Sequence, residues 1–152
     1  MCKKCEGKSC SRLLYSRVMS LSDAEIESAL ADAWRDVLST HARVSSALEH
    51  ALQDEHGLGV SEFEVLERLA ALEADGCRMH DLSATVHLSQ SALSRVIGRL
   101  EKDGLATRMM CSSDRRGIYA AITPEGRRRW ETARSTHRTV LAETLGARSV
   151  VA

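Results

Sequence analysis

The segment that decides the fold runs from Arg78 to Thr123 and reads RMHDLSATVHLSQSALSRVIGRLEKDGLATRMMCSSDRRGIYAAIT. Two helical patterns meet at Leu88-Ser89: one at about 79–86, and one that follows Ser89 and ends at Asp103-Gly104. The serine hydroxyl is suited to cap the second helix. After Gly104 the pattern changes to two β-like runs, 105–110 and 118–123, which flank a polar loop with two arginines. Helix, turn, helix and hairpin is the arrangement of a winged helix-turn-helix, a fold that reads duplex DNA. The segment therefore predicts a mainly α fold with a small β-hairpin wing.

The second helix of this segment carries the candidate base-reading residues. Leu93, Ile97 and Leu100 recur at helical spacing and predict its buried face. The opposite face of its first two turns carries short hydrogen-bonding side chains and one guanidinium, which can approach base edges in a major groove: Gln90, Ser91, Ser94 and Arg95. Arg99 extends the positive face toward phosphates. Any exposed helix can carry such residues, so the interpretation depends on their position after the turn and at the basic end of the chain.

The chain has no net charge, but its charges are unevenly distributed. Residues 21–88 contain 4 basic and 14 acidic side chains, whereas residues 89–138 contain 11 basic and 5 acidic ones. The positive segment includes the predicted reading helix and the hairpin, which is the pattern of a surface that binds phosphate. A solvated surface without a partner can show the same asymmetry.

A long helix is predicted before the winged segment. It begins with a capping box, Ser22 to Glu25, and keeps apolar residues at helical spacing as far as Leu52, before Gly57 ends it. About 33 residues of helix would be roughly 50 Å long. That is more than a core of this size needs, so we expect this helix to pack on a second subunit in a homodimer.

Three further helices follow from local signals. One is expected to begin with a second capping box, Ser61 to Glu64, and to end near Gly76. The short helix at 79–86 is expected to bury three apolar side chains: Met79, Leu82 and Val86. The last helix is expected to have Thr123 as its N-cap and Pro124 at its first position, and to run to about residue 145.

Length and composition predict one domain, because 152 residues with few aromatics suit a single, mainly helical core. We assign residues 1–21 to a flexible N-terminal extension, 22–145 to a DNA-binding and dimerisation domain, and 146–152 to a C-terminal tail. The chain has no run of 18 apolar residues and no secretory signal. We therefore expect no membrane association and a cytoplasmic protein with reduced thiols. The extension contains Cys2, Cys5 and Cys10, but a fourth ligand at matching spacing is lacking, so we favour a flexible tail over a metal or redox site.

The sequence has no enzyme signature, since it lacks a phosphate-binding glycine loop, a recognisable nucleophile phrase and an array of paired carboxylates or histidines. We expect no catalytic residue, no cofactor and no bound metal. The alternative is a metal- or thiol-redox-responsive winged helix, which Cys77-x2-His80-Asp81 favours. A winged helix that binds only proteins is a third option.

From residue 58 to residue 126 the sequence resembles the MarR family of winged-helix transcriptional regulators. The matching phrases come in order: LGVSEFEVL at 58–66, LSQSALSR at 88–95, RLEKDGL at 99–105, Arg108, DRRG at 114–117 and ITPEG at 122–126. With the long first and last helices, the resemblance covers about residues 22–145. It implies a homodimer whose terminal helices form the interface, bound to a pseudo-palindromic operator in double-stranded DNA with half-sites about one helical turn apart.

The resemblance also implies roles for the wing. Arg116 would reach into a minor groove, held by Asp114, with Arg115 beside it, and Arg108 would belong to the same DNA-binding set. An arginine suits a narrow, negative groove. The alternative interpretation of Asp114 and Arg116 is an ion pair at a hairpin tip, which contributes little when exposed.

Many members of this family are repressors that are released by small anionic aromatic compounds. Trp34, Arg35 and His41 resemble the residues of members that bind aromatic acids: the guanidinium suits a carboxylate, the imidazole is a switchable donor and the indole is a stacking surface. The alternative is that Trp34 lies in the dimer interface, with His41 hydrogen-bonded beside it. Both interpretations stay open for the sequence alone.

The sequence departs from the family in two places. Members often have a further helix that completes dimerisation, whereas here the first and last helices would form the dimer. Peroxide-sensing members have a reactive cysteine early in the first helix, and the corresponding stretch, 33–38, has none. We expect Cys77 to pack as a small apolar residue, and Cys111 to be an exposed thiol at the wing.

Overall fold

The computed structural model describes residues 22–72, 76–110 and 117–149, without the side chains of Met110 and residues 147–149. Helices alternate with a small sheet in the order α1 (Asp23–His56), α2 (Val60–Ala70), β1 (Cys77–Arg78), α3 (Met79–Thr85), α4 (Gln90–Lys102), β2 (Ala106–Met110), β3 (Ile118–Ile122) and α5 (Pro124–Ser149). The predicted mainly α fold with a hairpin wing is confirmed. The described residues form two compact units that divide after Ala42, and the second, which begins at Arg43, contains the winged helix-turn-helix. None of the helices in the described ranges combines the length and the apolar character needed to cross a bilayer.

The capping box at the start of α1 is confirmed. The backbone N–H and the hydroxyl of Ser22 each donate to Glu25 Oε2 at 2.8 Å, and the Glu25 N–H donates to Ser22 Oγ at 3.4 Å. These hydrogen bonds lower the pKa of the Glu25 carboxyl. At the other end, Gly57 has a φ of +63°, which an L side chain rarely adopts, and α1 stops there.

The predicted start and end of α2 are wrong. The helix begins at Val60 with Gly59 as its N-cap, and Glu62 rather than Glu64 accepts the cap N–H, at 2.9 Å. The Val60 N–H donates to the Glu49 carboxylate of α1 at 2.9 Å. A hydrogen bond to a neighbouring helix therefore helps to fix the residue at which α2 begins. The helix ends at Ala70, short of residue 76, and Arg127 of α5 donates to the Ala70 carbonyl at 3.2 Å.

The sheet has three strands rather than the two of the predicted hairpin. Its order is β1-β3-β2, with all pairs antiparallel. The added strand, β1, has only two residues and pairs Cys77 with Ala120 and Arg78 with Tyr119. Two residues are too few for an alternating pattern, so the sequence does not reveal this strand. The hairpin itself forms in the register that pairs Ala106 with Ile122 and Met110 with Ile118.

One apolar core holds the winged unit together, with buried side chains from every element of that unit except β1, whose Cys77 packs half-buried against it. Leu93, Ile97 and Leu100 are buried, as the periodicity of α4 predicts. In α3, Leu82 and Val86 are buried as predicted, but Met79 is only half-buried at the edge of the core. It is the first residue of α3 and follows β1 directly, so it lies where the chain passes from the sheet into the helix.

The predicted start of α5 is confirmed. The Thr123 hydroxyl accepts the Gly126 N–H at 3.0 Å and donates to the Gly104 carbonyl at 2.7 Å. A Cβ at Gly126 would lie 1.9 Å from the Leu105 carbonyl oxygen, so only glycine fits this approach. The helix continues to Ser149, past its predicted end at about residue 145.

His137 is a buried histidine between α5 and α2. The residue is 5% exposed and its ring stacks on Phe63, with 4.3 Å between the ring centroids. Burial lowers the pKa of His137, the positive charge of Arg138 lowers it further, and Glu67 opposes both effects. The imidazole therefore contributes to the core as a neutral ring.

We expect the fold to lose stability in mild acid because of His137. The folded-state pKa lies below the unfolded one, so the stabilising contribution is complete above the unfolded pKa and is lost as the pH falls toward the folded value. A tenfold difference in proton affinity between the folded and unfolded chains corresponds to about 1.4 kcal/mol. Denaturant unfolding of wild type and His137→Phe between pH 8 and pH 5 measures this: the variant, which keeps an aromatic ring, should lose less stability. His87→Asn, at an exposed position, is the control, and equal losses in all three proteins would contradict the assignment.

Candidate nucleic-acid interface

Helix α4 presents a polar face to solvent because its apolar face is committed to the core. Ser89 caps it as predicted, with its Oγ accepting the Ala92 N–H at 3.2 Å. Leu93, Val96, Ile97 and Leu100 are buried. The predicted reading residues are all exposed on the other side: Gln90, Ser91, Ser94, Arg95 and Arg99. The structure thus brings them onto one surface of the winged unit.

Gln90 joins the two helices of the helix-turn-helix. Its side-chain amide donates to Ser83 Oγ at 2.5 Å and lies 3.3 Å from His80 Nδ1, both in α3. Ser83 is itself buried and donates to the His80 carbonyl at 2.7 Å. Sequence reasoning missed Ser83, since a lone serine in a helix has no distinctive pattern. Gln90 is therefore bonded to α3 at the start of α4, although the residue as a whole is exposed.

Arg99 is tied to α2. Its Nε lies 2.5 Å from Glu62 Oε1, and the Glu62 side chain is only 13% exposed. Because the other oxygen of Glu62 accepts the Gly59 N–H, the carboxylate is held from two sides. The two residues are 37 apart in sequence, a separation that no local pattern reveals.

Arg108, on β2, reaches back to α4. Its Nη1 donates to Glu101 Oε2 at 2.8 Å, and its Nη2 donates to the Ser94 carbonyl at 2.8 Å and to Ser94 Oγ at 3.3 Å. The backbone N–H of Arg108 also donates to Glu101 Oε1, at 2.9 Å. Arg108 and Glu101 thus join the hairpin to α4 through several hydrogen bonds.

Arg95 differs from these neighbours. Within the described part of the chain its guanidinium makes no hydrogen bond or ion pair, and the residue is exposed. Ser91, next to it on the surface, has its Oγ 3.2 Å from Ser89 Oγ. An exposed guanidinium without such a partner can make a bidentate contact with a base edge without first breaking an internal bond.

The predicted wing tip, Asp114, Arg115 and Arg116, lies outside the described residues, as does Cys111. The strands that carry it, β2 and β3, are described up to the pair Met110 and Ile118. Their register places the two ends of the loop next to each other.

The predicted effector residues all lie on α1, in the unit that ends at Ala42. Trp34 is 60% exposed, and His41 is also exposed. Arg35 forms an ion pair with Asp32 one turn earlier, and both side chains are well exposed. An aromatic ring and a cation are thus accessible near each other on this helix.

The cysteine-based alternative depends in part on Cys77, His80 and Asp81, which lie within the described ranges. There, no three His, Cys, Asp or Glu side chains come close enough to hold a metal ion, so Cys77, His80 and Asp81 form no such cluster. Cys77 is half-buried against the core, as expected for a small apolar residue. Burial raises the pKa of its thiol, and the negative charge of Asp81 adds to this. Cys2, Cys5 and Cys10 lie outside the described residues.

Comparison with known proteins gives the same family. The MarR family profile matches residues 58–118. AbsC, a MarR family transcriptional regulator from Streptomyces coelicolor, is 33% identical with a TM-score of 0.70, over 82% of this chain and 80% of AbsC. Sco3205, a MarR family regulator of the same organism solved in complex with DNA, is 26% identical with a TM-score of 0.74, over 84% of this chain and 77% of Sco3205.

A third similar structure contains a ligand. CouR from Rhodococcus jostii RHA1, solved bound to p-coumaroyl-CoA, is 32% identical with a TM-score of 0.65, over 75% of this chain and 79% of CouR. These identities and coverages, together with the winged helix-turn-helix and its ordered phrases, lead to one assignment. The chain belongs to the MarR family and is a winged-helix transcriptional regulator rather than an enzyme.

Proposed function

We propose that the protein is a homodimeric repressor of neighbouring genes that binds a pseudo-palindromic operator and is released by a small anionic aromatic ligand. The observation that carries the DNA-binding part is the exposed polar face of α4, on which Arg95 has no partner among the described residues. A dimer that presents two such helices covers two half-sites and excludes other proteins from the same DNA.

Within this proposal the residues of α4 have distinct roles. Ser91, Ser94 and Arg95 read base edges in the major groove, because hydroxyls and a guanidinium match the donor and acceptor pattern there. Gln90 is bonded to α3 and Arg99 to α2. The side-chain donors and acceptors that these bonds do not use contact the flanking base and the DNA backbone. The wing residues Asp114, Arg115 and Arg116 reach the adjacent minor groove. Sco3205, which is similar to this chain, was solved in complex with DNA, and this supports the DNA-binding part of the proposal.

Arg95→Ala should relax the sequence preference. A bidentate base contact contributes about 1–3 kcal/mol of discrimination, so the ratio of specific to random affinity should fall by roughly tenfold or more. Mobility shifts with duplexes from the DNA flanking the gene, compared with a scrambled duplex, measure that ratio. Arg134→Ala, on the exposed side of α5, is the matched control and should keep it. A wild-type protein that prefers no flanking duplex would sink the repressor proposal, and an unchanged ratio in Arg95→Ala would remove only its reading role.

The dimer proposal is supported by an apolar stripe on the first half of α1. Four of its large apolar side chains are 38–67% exposed and recur at helical spacing: Ile26, Leu30, Val37 and Leu38. Contiguous apolar surface of this kind is typical of an interface. We propose that a second copy of the chain covers it, as the resemblance to the family implies.

Leu30→Glu should convert the dimer into a monomer, because it places a charge in the centre of this stripe. Sedimentation velocity at micromolar concentration measures the change. Ser28→Glu adds the same charge on the opposite side of α1 and should leave the dimer intact. If Leu30→Glu sediments as the wild-type dimer does, the stripe is not the interface.

The ligand proposal rests on the chemistry of Trp34, Arg35 and His41. Arg35 is paired with Asp32, but both side chains are exposed, and an exposed ion pair is weak enough for a ligand carboxylate to replace the aspartate. Trp34 offers a stacking surface for an aromatic ring. CouR supports an aromatic ligand, since the compound in its structure carries a p-coumaroyl group.

Benzoate-like acids should raise the melting temperature of the wild type and release it from DNA. At a concentration 100 times the Kd, a ligand adds about 2.7 kcal/mol of stability. Arg35→Gln should abolish the increase because the carboxylate loses its bidentate partner. Asp32→Asn is the informative control: it removes the competing carboxylate, so the acids should bind at least as tightly. No thermal shift with any of these acids would argue against the effector site but not against DNA binding.

A further inference from the structure

The contacts between the hairpin and α4 bear on how the proposed reading surface is held. We propose that Arg108 is a positioning residue, which fixes α4 relative to the wing, and that it does not itself bind a phosphate. This inference rests on the proposed DNA-binding function. The family resemblance places Arg108 in the DNA-binding set, and the contacts of its guanidinium give it a different role.

Arg108 holds α4 at two points. Nη1 is bonded to Glu101 and Nη2 to the Ser94 carbonyl, and these two residues are seven apart, or about two helical turns. One contact would allow the helix to pivot, whereas two contacts along its length fix its rotation as well. Glu101 in turn accepts a hydrogen bond from the Arg108 backbone N–H. The carboxylate therefore binds the main chain of β2 as well as the Arg108 side chain.

The same contacts make Arg108 a poor phosphate ligand. A phosphate would have to displace Glu101, which is held at 2.8 and 2.9 Å, and the nearby carboxylate would repel it. The two side chains are about one-third exposed, 34% for Arg108 and 30% for Glu101. Arg95, with no internal partner among the described residues, is the contrasting case.

Positioning matters because α4 and the wing would enter different grooves of one duplex. The contact of α4 with one groove strengthens that of the wing with the next groove only if the two elements are oriented so that both contacts form at once. Ser94, which accepts two hydrogen bonds from Arg108, is adjacent to the reading residue Arg95. Loss of the Arg108 contacts would therefore move the reading face and the wing relative to each other.

The test compares Arg108→Ala and Arg108→Lys with the wild type on the preferred and the scrambled duplex over a range of salt concentrations. Lysine keeps the charge but cannot span Glu101 and Ser94 with a planar fork. Positioning predicts that both variants lose about tenfold or more in specific affinity, with scrambled-duplex affinity and the salt slope unchanged. A phosphate contact predicts the opposite: Ala lowers the slope by about 0.9, both duplexes are affected alike, and Lys restores binding. That second pattern would overturn the proposal.

Glu101 provides a test in which the two explanations predict changes of opposite sign. Removing an acidic side chain near DNA should strengthen binding by electrostatics alone. If Glu101 acts through Arg108, Glu101→Ala should instead weaken specific binding, by a factor similar to that of Arg108→Ala and without adding to it in the double variant. Asp103→Ala, two residues away, is the matched control and should leave binding equal or slightly tighter. Tighter binding by Glu101→Ala would contradict the positioning role.

A measurement without DNA separates the failure of this inference from the failure of the proposed function. In the free protein, Glu101→Ala should speed amide hydrogen exchange at Arg108 and along β2, while the melting temperature falls only slightly, because a partly exposed ion pair contributes little to folding. Unchanged exchange in a protein that still reads DNA would overturn the positioning role alone. If the wild type preferred no duplex, the proposed function would fail, and this role with it.

Discussion

The burial of one face of α4 is the constraint on which the proposed reading surface depends. Leu93, Ile97 and Leu100 are at most 1% exposed, so α4 cannot turn about its axis without bringing them into water. Truncating a side chain of this kind costs about 2–5 kcal/mol. Since residues on a helix have fixed angular positions, the same burial determines that Ser91 and Arg95 face outward.

Polar contacts at the rim of the core fix the orientation of α4 more closely than the apolar packing does. Glu62 holds Arg99 from the side of α2, and Arg108 holds α4 from the side of β2. Such partly exposed pairs contribute less to the free energy of folding than the apolar core does. Their effect is on orientation, because each joins α4 to a different element. The proposed dimer needs that orientation, since two copies of α4 would have to match one DNA duplex.

Local signals were enough to predict the elements of the winged unit. The caps at Ser22, Ser89 and Thr123 depend on residues three positions away or fewer, and the structure contains each of them. The predicted start of α2 is wrong because Glu49, from another helix, takes part in it. β1 was missed because its two residues are defined only by their pairing with β3. The exposed set on α4 followed from periodicity, whereas the partners of Arg99 and Arg108 depend on tertiary packing that no local pattern reports.

The junction between the hairpin and α5 has a mechanical consequence. Thr123 is bonded to the carbonyls of both Gly104 and Leu105, and Gly126 lies against the latter with no room for a methyl group. The end of α4, the base of the wing and the first turn of α5 therefore meet at a tightly packed junction. Because these contacts leave no free space, a movement of the first turn of α5 would also move the base of the wing. The junction therefore couples α5 to the wing rigidly and does not act as a hinge.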